Sequence, residues 1–281
     1  MDVIKAGCKV NLGLRITGVR PDGYHLLDSL FWPLSEPHDL LKISPAQNGL
    51  TIRCADPDFP VANTLTKAYA LFKKATGDAP AVHLTLHKGI PQGAGLGGGS
   101  SDAAALLKWL NLHQGSPLDI RDMLELATLV GADTPFFLQD EPCRVRGIGE
   151  ILEPYTSSLA KLHLVLVCPD IHVSTAWAFA AYDTAPPQPG GLTITDSKAK
   201  KLFLSEAQYL PDMHNDLEAI VLYRYPQLAE IKTALLHLGA KNAGMSGSGS
   251  SMVGLFADGD AAHAAVLYLQ KEHRRVFTHE L

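Results

Sequence analysis

Cysteine is scarce in this chain. The four present, Cys8, Cys54, Cys143 and Cys168, stand far apart and form no CxxC pair. Neither a zinc site nor a disulfide framework is expected, and the thiols read as the reduced cysteines of a cytoplasmic protein. Basic charge is not in excess either: 24 Lys and Arg stand against 29 Asp and Glu, a net charge of −5. That balance speaks against nucleic acid or a membrane surface as partner. No apolar run approaches the roughly 20 residues of a membrane span. The opening "MDVIKAGCKVNL" enters strand-like alternation at once, so no signal or transit peptide is expected.

Glycine, by contrast, is concentrated. The stretch "PQGAGLGGGSSDAAALL", Pro91 to Leu107, puts five glycines into seven residues and then turns into a helical pattern. Glycine loses more backbone entropy on folding than any other residue, so such a run needs a reason. A helix N-terminus carries unpaired N–H groups and partial positive charge, and glycines let a phosphate approach those groups closely. Ser100 and Ser101 suit N-cap positions. Asp102 in the first turn would repel phosphate unless it turned away or met a cation, an arrangement compatible with Mg²⁺ nearby.

Three readings of this loop compete. GxxxxGK[ST] fails because no lysine follows the glycines. GxGxxG is matched by Gly93, Gly95 and Gly98, but the preceding "AVHLTLHKGIP" alternates polar and apolar residues, unlike the buried strand of a dinucleotide fold. A mere tight turn seldom needs five glycines.

Around the loop, strands and helices intermix. "CKVNLGLRI" has the period of a half-buried strand, with Lys9 and Asn11 on one face. "DLLKI", "LTIRC" and "AVHLTLH" read as further strands. "NTLTKAYALFKKATG" has an Asn start and a Gly stop, and "LDIRDMLELATLVG" is a helix with Gly131 as its cap. Beyond about residue 150 the pattern begins again. "KLHLVLVCP" is a buried strand, "STAWAFAAYD" a short helix, and "APPQPGGLTITDSK" a loop. "DLEAIVLYRY" and "QLAEIKTALLHLG" are helices, and "NAGMSGSGSSMVGLFA" is a Gly/Ser loop entering a strand. Two α+β domains are expected, 1–155 and 156–281.

The string "GLGGGSS" four residues after Pro91, with "KVNLGL" at Lys9 and "MSGSGSS" from Met245 to Ser251, resembles the motifs of the GHMP kinase superfamily. "RPDGYHLLDSLF", "GADTPFF" and "NDLEAIVLYRYPQLAEI" resemble the branch that phosphorylates a polyol linked to cytidine diphosphate. The resemblance implies the two-domain fold of these kinases. Its N-terminal domain is built like a domain of a small-subunit ribosomal protein, and its C-terminal domain is ferredoxin-like. It implies ATP as donor, Mg²⁺ as cofactor, a small-molecule acceptor, and a cytoplasmic monomer or weak homodimer.

By the same resemblance Asp133 is the catalytic base and Lys9 lies beside it near the transferred phosphoryl group. ATP is held by Pro91, Gly93, Ala94, Gly95, Leu96, Gly97, Gly98, Gly99, Ser100 and Ser101, with Asn63 near the adenine. Asn63 is also a sufficient N-cap, and Asp133 alone reads as a helix-end residue. Asn11, Ser246 and Gly247 face the substrate. Tyr24 and His25 recognise the cytosine, with Phe179 on the opposite face of the ring and Thr175 close by. Asp216 and Glu218 belong to a signature of structural role. A homoserine or mevalonate kinase is the near alternative, and "DGYH" separates them, because neither of those substrates carries a base to stack. An inactive nucleotide-binding regulator would have no need of both Lys9 and Asp133.

Overall fold

The structure is a computed structural model, and it describes residues 1–56, 59–155, 159–185, 211–273 and 275–281. The loop expected from "APPQPGGLTITDSK" falls outside these residues.

Two sheets organise the described chain. The first has six strands: β1 (Asp2–Val19), β2 (His25–Pro45), β3 (Leu50–Cys54), β4 (Val82–His87), β5 (Cys143–Gly147) and β6 (Ile151–Pro154), in the order β3-β4-β2-β5-β6 with β1 also paired to β2. The segment "DLLKI" is therefore not a separate strand but the far half of β2, which runs on from "HLLDSLF". Only β3 and β4 pair in parallel, and α1 (Thr64–Thr76) connects them. The second sheet orders β7 (His163–Val167), β8 (Asn242–Met245), β9 (Met252–Phe256) and β10 (Val276–Glu280) as β10-β7-β9-β8, with every pairing antiparallel. Helices α5 (Thr175–Thr184), α6 (Glu218–Arg224) and α7 (Pro226–His237) lie between β7 and β8, and α8 (Gly259–Leu269) lies between β9 and β10. This is the strand order of a ferredoxin-like domain.

The helices of the N-terminal half form for reasons legible in their spacing. In α1, Leu65, Ala68, Tyr69 and Phe72 are buried, the single stripe of an amphipathic helix. Asn63 and Thr66 close a capping box at its start, and Gly77 ends it at φ 80°. Helix α3 (Ile120–Val130) buries Met123, Leu126, Ala127 and Val130 with the same spacing. Gly131 caps it by donating to the Ala127 carbonyl, with φ −174°, so its backbone is extended and not left-handed. Helix α2 (Gly98–His113) is buried on nearly all sides from Ser101 to Leu110. The small residues of "DAAALL" let it run through the core between α1 and the first sheet. Each large apolar side chain buried there contributes about 1.5–3 kcal/mol.

Strand β1 departs from the half-buried reading. Cys8 to Leu14 are all buried, polar and apolar alike. Cys8, Val10 and Leu12 pack with Leu164, Leu166, Val253 and Leu255 of the second sheet, so one core joins both halves. The alternate side chains, Lys9 and Asn11, are covered by the glycine-rich loop and its surroundings. Sequence alternation identified the two faces, but not that both would be enclosed.

Candidate active site

A cavity of about 500 Å³ lies where β1, the loop before α2, the residues before α4 (Thr134–Gln139) and the start of α5 meet. The glycine-rich loop forms one wall. Helix α2 begins earlier than the serines suggested. Its N-cap is Gly97, left-handed at φ 73°, and Ser100 and Ser101 lie within the first turn and a half, neither making a side-chain cap. A left-handed N-cap keeps the N–H groups at the helix mouth free of side chains, the arrangement that receives an anion. Ser100 lines the cavity, whereas Ser101 is buried.

The loop is anchored from three directions. Lys9 N–H donates to the Leu96 carbonyl (3.0 Å), Ser251 N–H to Ala94 (3.2 Å) and Val173 N–H to Gly93 (3.2 Å). Gly95 meets the second Gly/Ser loop backbone to backbone. A Cβ there would lie 2.1 Å from the Ser246 carbonyl oxygen, so no other residue fits. The Ser246 hydroxyl accepts from Asn11 N–H (3.1 Å) and donates to the Gly95 carbonyl (3.1 Å), joining β1 to both loops. Ser246 itself is fully buried, and Gly247 and Ser248 are the residues of that motif that reach the cavity.

Lys9 and Asn11 share a face as expected. The Lys9 ammonium donates to Asn11 Oδ1 (2.5 Å) and to the Gly95 carbonyl (3.2 Å), and it stands 3.6 Å from Asp133 Oδ2. It also sits 4.5 Å from the centre of the Phe31 ring. Burial lowers the Lys9 pKa, and the Asp133 carboxylate works against that fall. Asn11 is held in turn by Ser29, whose hydroxyl accepts from Asn11 Nδ2 at 2.9 Å. Asp133 occupies the N-cap position of α4, yet its carboxylate makes no cap bond. Its side chain is 31% exposed at the cavity edge, with Lys9 its ion-pair partner. The plain helix-end role is thus not the one its carboxylate performs.

The remaining expected residues divide. Asn63 lines the cavity, but its amide is engaged by the capping box and by the Pro60 carbonyl. Thr175 and Phe179 line the opposite end, and Thr175 exchanges a hydrogen bond with the Ser248 hydroxyl at 2.9 Å. Tyr24 and His25 do not line it. Tyr24 is 60% exposed. The ring stacked on Phe179 is that of His25, at 4.8 Å between centroids, with its Nε2 2.7 Å from Asp183 Oδ1. Asp102 lies in the second turn of α2 and meets Lys88 at 2.9 Å where both border the cavity, so the cation that holds it is a side chain. Asp216 accepts from Ile16 N–H, tying the second half to β1, and Glu218 accepts from Met245 N–H at 2.8 Å, holding the start of the second Gly/Ser loop.

Several contributing residues were not among the expected site residues: Ser29, Phe31, Asp39, Ser248 and Asp183. Each acts through a contact far along the chain, and the motifs that contain Ser29, Phe31 and Ser248 do not single them out. Lys88 had a local signal, its place directly before the glycine run. Among the described residues no group of three or more His, Cys, Asp or Glu could hold a metal ion, and no helix is long and apolar enough to cross a membrane.

Family models for the GHMP kinases N terminal domain and the GHMP kinases C terminal match residues 63–141 and 198–275. A 4-diphosphocytidyl-2-C-methyl-D-erythritol kinase of Nitratidesulfovibrio vulgaris is 43% identical over 283 aligned positions, covering 99% of this chain and 98% of its own. Another, from Lawsonia intracellularis, is 42% identical over 98% of this chain and 95% of its own. A crystal structure of 4-(cytidine 5'-diphospho)-2C-methyl-D-erythritol kinase superposes with a TM-score of 0.77 at 33% identity, covering 99% of this chain and 98% of that one. A homoserine kinase from Cytophaga hutchinsonii superposes at 0.68 with 19% identity over 100% and 95% of the two chains, a likeness of fold alone.

Proposed function

The chain belongs to the GHMP kinases, among the 4-diphosphocytidyl-2-C-methyl-D-erythritol kinases, and from that premise we propose how its residues carry the reaction. It is a small-molecule kinase with ATP as phosphoryl donor. The acceptor is the 2-hydroxyl of 4-diphosphocytidyl-2-C-methyl-D-erythritol, on the methylerythritol phosphate route to isoprenoid precursors.

Phosphoryl transfer asks for positioning, charge neutralisation and a proton acceptor. Asp133 takes the proton from the attacking hydroxyl, because its carboxylate is at the cavity edge and free of capping. Lys9 stands 3.6 Å from that carboxylate and offsets the charge that develops on the transferred group. The loop 91–99 and the start of α2 take the phosphates through N–H groups. Asn11, Gly247 and the Ser246 framework hold the acceptor, and the cytosine docks at the end marked by Phe179, Thr175 and the Tyr24–His25 turn. The Lys9–Asp133 pair, a buried ammonium beside an uncommitted carboxylate at the mouth of an anion-binding helix, is the observation that carries this assignment.

Mg²⁺ would be held mostly by oxygens of the triphosphate, with the Ser100 hydroxyl at the cavity wall available from the protein. When bound, the ion neutralises charge on the phosphates. We place the boundary between the two halves near residue 155, in the gap between β6 and β7, and assign the protein to the cytoplasm.

The test is ADP release with ATP, Mg²⁺ and each of four acceptors: the cytidine compound, homoserine, mevalonate and galactose. Turnover with the cytidine compound alone is expected. Turnover with any other acceptor in its place would overturn the assignment.

A further inference from the structure

A glycine-rich loop has few side chains with which to anchor itself, and ordering it costs more entropy than ordering other residues. Backbone bonds hold its middle. What holds its two ends is a buried cluster of charge. Asp39, on β2, is fully buried. Its Oδ1 accepts from the N–H groups of Gly89 (2.7 Å) and Ile90 (2.9 Å), the residues that enter the loop. Its Oδ2 is paired with the Lys88 ammonium, which donates also to Asp102 Oδ2 (2.9 Å), on the helix that leaves the loop. Gly98 packs directly on this cluster: a Cβ there would lie 2.9 Å from Ile90 Cγ2 and 3.4 Å from Asp39 Oδ2.

We propose that Asp39, Lys88 and Asp102 are positioning residues for ATP, a buried clasp that locks the entrance and exit of the glycine-rich loop together so that its N–H groups face phosphate. The inference rests on the kinase reading above and adds residues that act through the loop. The clasp is built for this in its asymmetry. Lys88 is the cation shared by the two carboxyl groups, so removing it uncouples the helix-side end of the loop from the entrance, which Asp39 still holds through the Gly89 and Ile90 N–H groups. It would also leave two buried carboxyl groups without their shared cation, a larger disturbance than cutting the helix-side arm alone. Burial, opposed by Lys88 and reinforced by Asp39, pushes the Asp102 carboxyl up to about 7, which reflects the one surplus negative charge in the cluster.

Calorimetric titration of the full chain with a non-hydrolysable ATP analogue and Mg²⁺ reads the clasp directly, and steady-state assays give the KM values for ATP and acceptor separately. Lys88→Met is expected to weaken analogue binding and raise the ATP KM at least tenfold, with the acceptor KM changed less than threefold. Asp102→Ala, which cuts only the helix-side arm, should weaken ATP about three- to tenfold with the same selectivity and serves if Lys88→Met does not fold. The double variant should be no worse for ATP than Lys88→Met alone. Unchanged ATP binding in both variants, or equal losses for ATP and acceptor, would overturn the clasp. A wild-type chain that binds the analogue but turns over no acceptor would instead count against the kinase reading, and the binding comparison would still decide the clasp.

Discussion

At the residue scale the proposed chemistry depends on one carboxylate that is left out of its helix cap. Asp133 sits where a carboxylate would ordinarily cap a helix, and does not. Asp133→Asn keeps the shape and removes the base. Turnover is expected to fall by at least a factor of about 100, the lower range for losing a positioned proton acceptor. Binding of an ATP analogue should stay near the wild-type value, since the phosphates are held elsewhere. Rapid-quench and calorimetric measurements on one preparation check both halves, and near wild-type turnover would remove Asp133 from the role.

Asp102 supplies a pH prediction. A carboxyl whose pKa is raised by folding holds its proton more tightly in the native chain. Its contribution to stability is therefore complete below the ordinary aspartate range and is lost as pH rises toward about 7. Asp102→Asn cannot ionise and still offers an acceptor to Lys88. Relative to wild type, that variant should be more stable at pH 8 than at pH 5 in urea unfolding. A stability difference that is the same at both pH values would contradict it.

At the element scale, α1 and α2 show how the same local rules have different outcomes. The start of α1 was readable to the residue, because Asn63 and Thr66 satisfy each other's backbone in a capping box without help from elsewhere. Asn63→Ala should cost about 1 kcal/mol of stability and leave the ATP KM within about twofold. Asn63→Ser, which restores a cap, should recover most of the stability. A large rise in ATP KM without loss of stability would mean that Asn63 serves the nucleotide first. The start of α2 was misjudged by serine chemistry. Gly97 in the left-handed region starts that helix because the loop must pass beneath Phe137 and Lys9, where a Cβ would lie 2.9–3.4 Å from their atoms. Close approach outranked capping preference, and close approach is invisible along the chain.

At the scale of the whole molecule, the two sheets make one site because β1 belongs to both cores. Leu14 forms a bridge with Asn215, and the Asn215 amide donates to the carbonyls of Met245 (2.9 Å) and Gly247 (2.7 Å). Asn215 thus carries the second Gly/Ser loop to its place against Gly95. Asn215→Ala leaves two buried carbonyls unpaired and should destabilise the fold by on the order of 2 kcal/mol. It should also lower kcat/KM for the acceptor more than it weakens ATP, because the proposed assignment puts the loop it holds on the acceptor side. Differential scanning calorimetry and acceptor kinetics check the pair of effects, and a stable variant with unchanged kinetics would show the bond to be dispensable.

What was readable without coordinates was whatever depends on local backbone chemistry. The amphipathic stripes of α1 and α3, the alternation that put Lys9 and Asn11 on one face, and the glycine run are all consequences of short-range periodicity or of residues with special backbone freedom. The loop raised the expectation of an anion site for that reason, whereas Asp133 and Lys9 drew their expected roles from the family resemblance. What packing alone decided was which of those residues meet. Asn11 bonds to Ser246 across 235 positions, and Lys9 reaches Gly95 across 86. Asp102 meets a cation, as its place beside a phosphate loop requires, but which cation, Lys88, was set by packing, and His25 lies on Phe179. A hydrogen bond or ion pair depends on distances of a few ångströms, and those are set by how sheets and loops close on one another. Residue order along the chain encodes the parts, and the free energy of burying them together selects the partners.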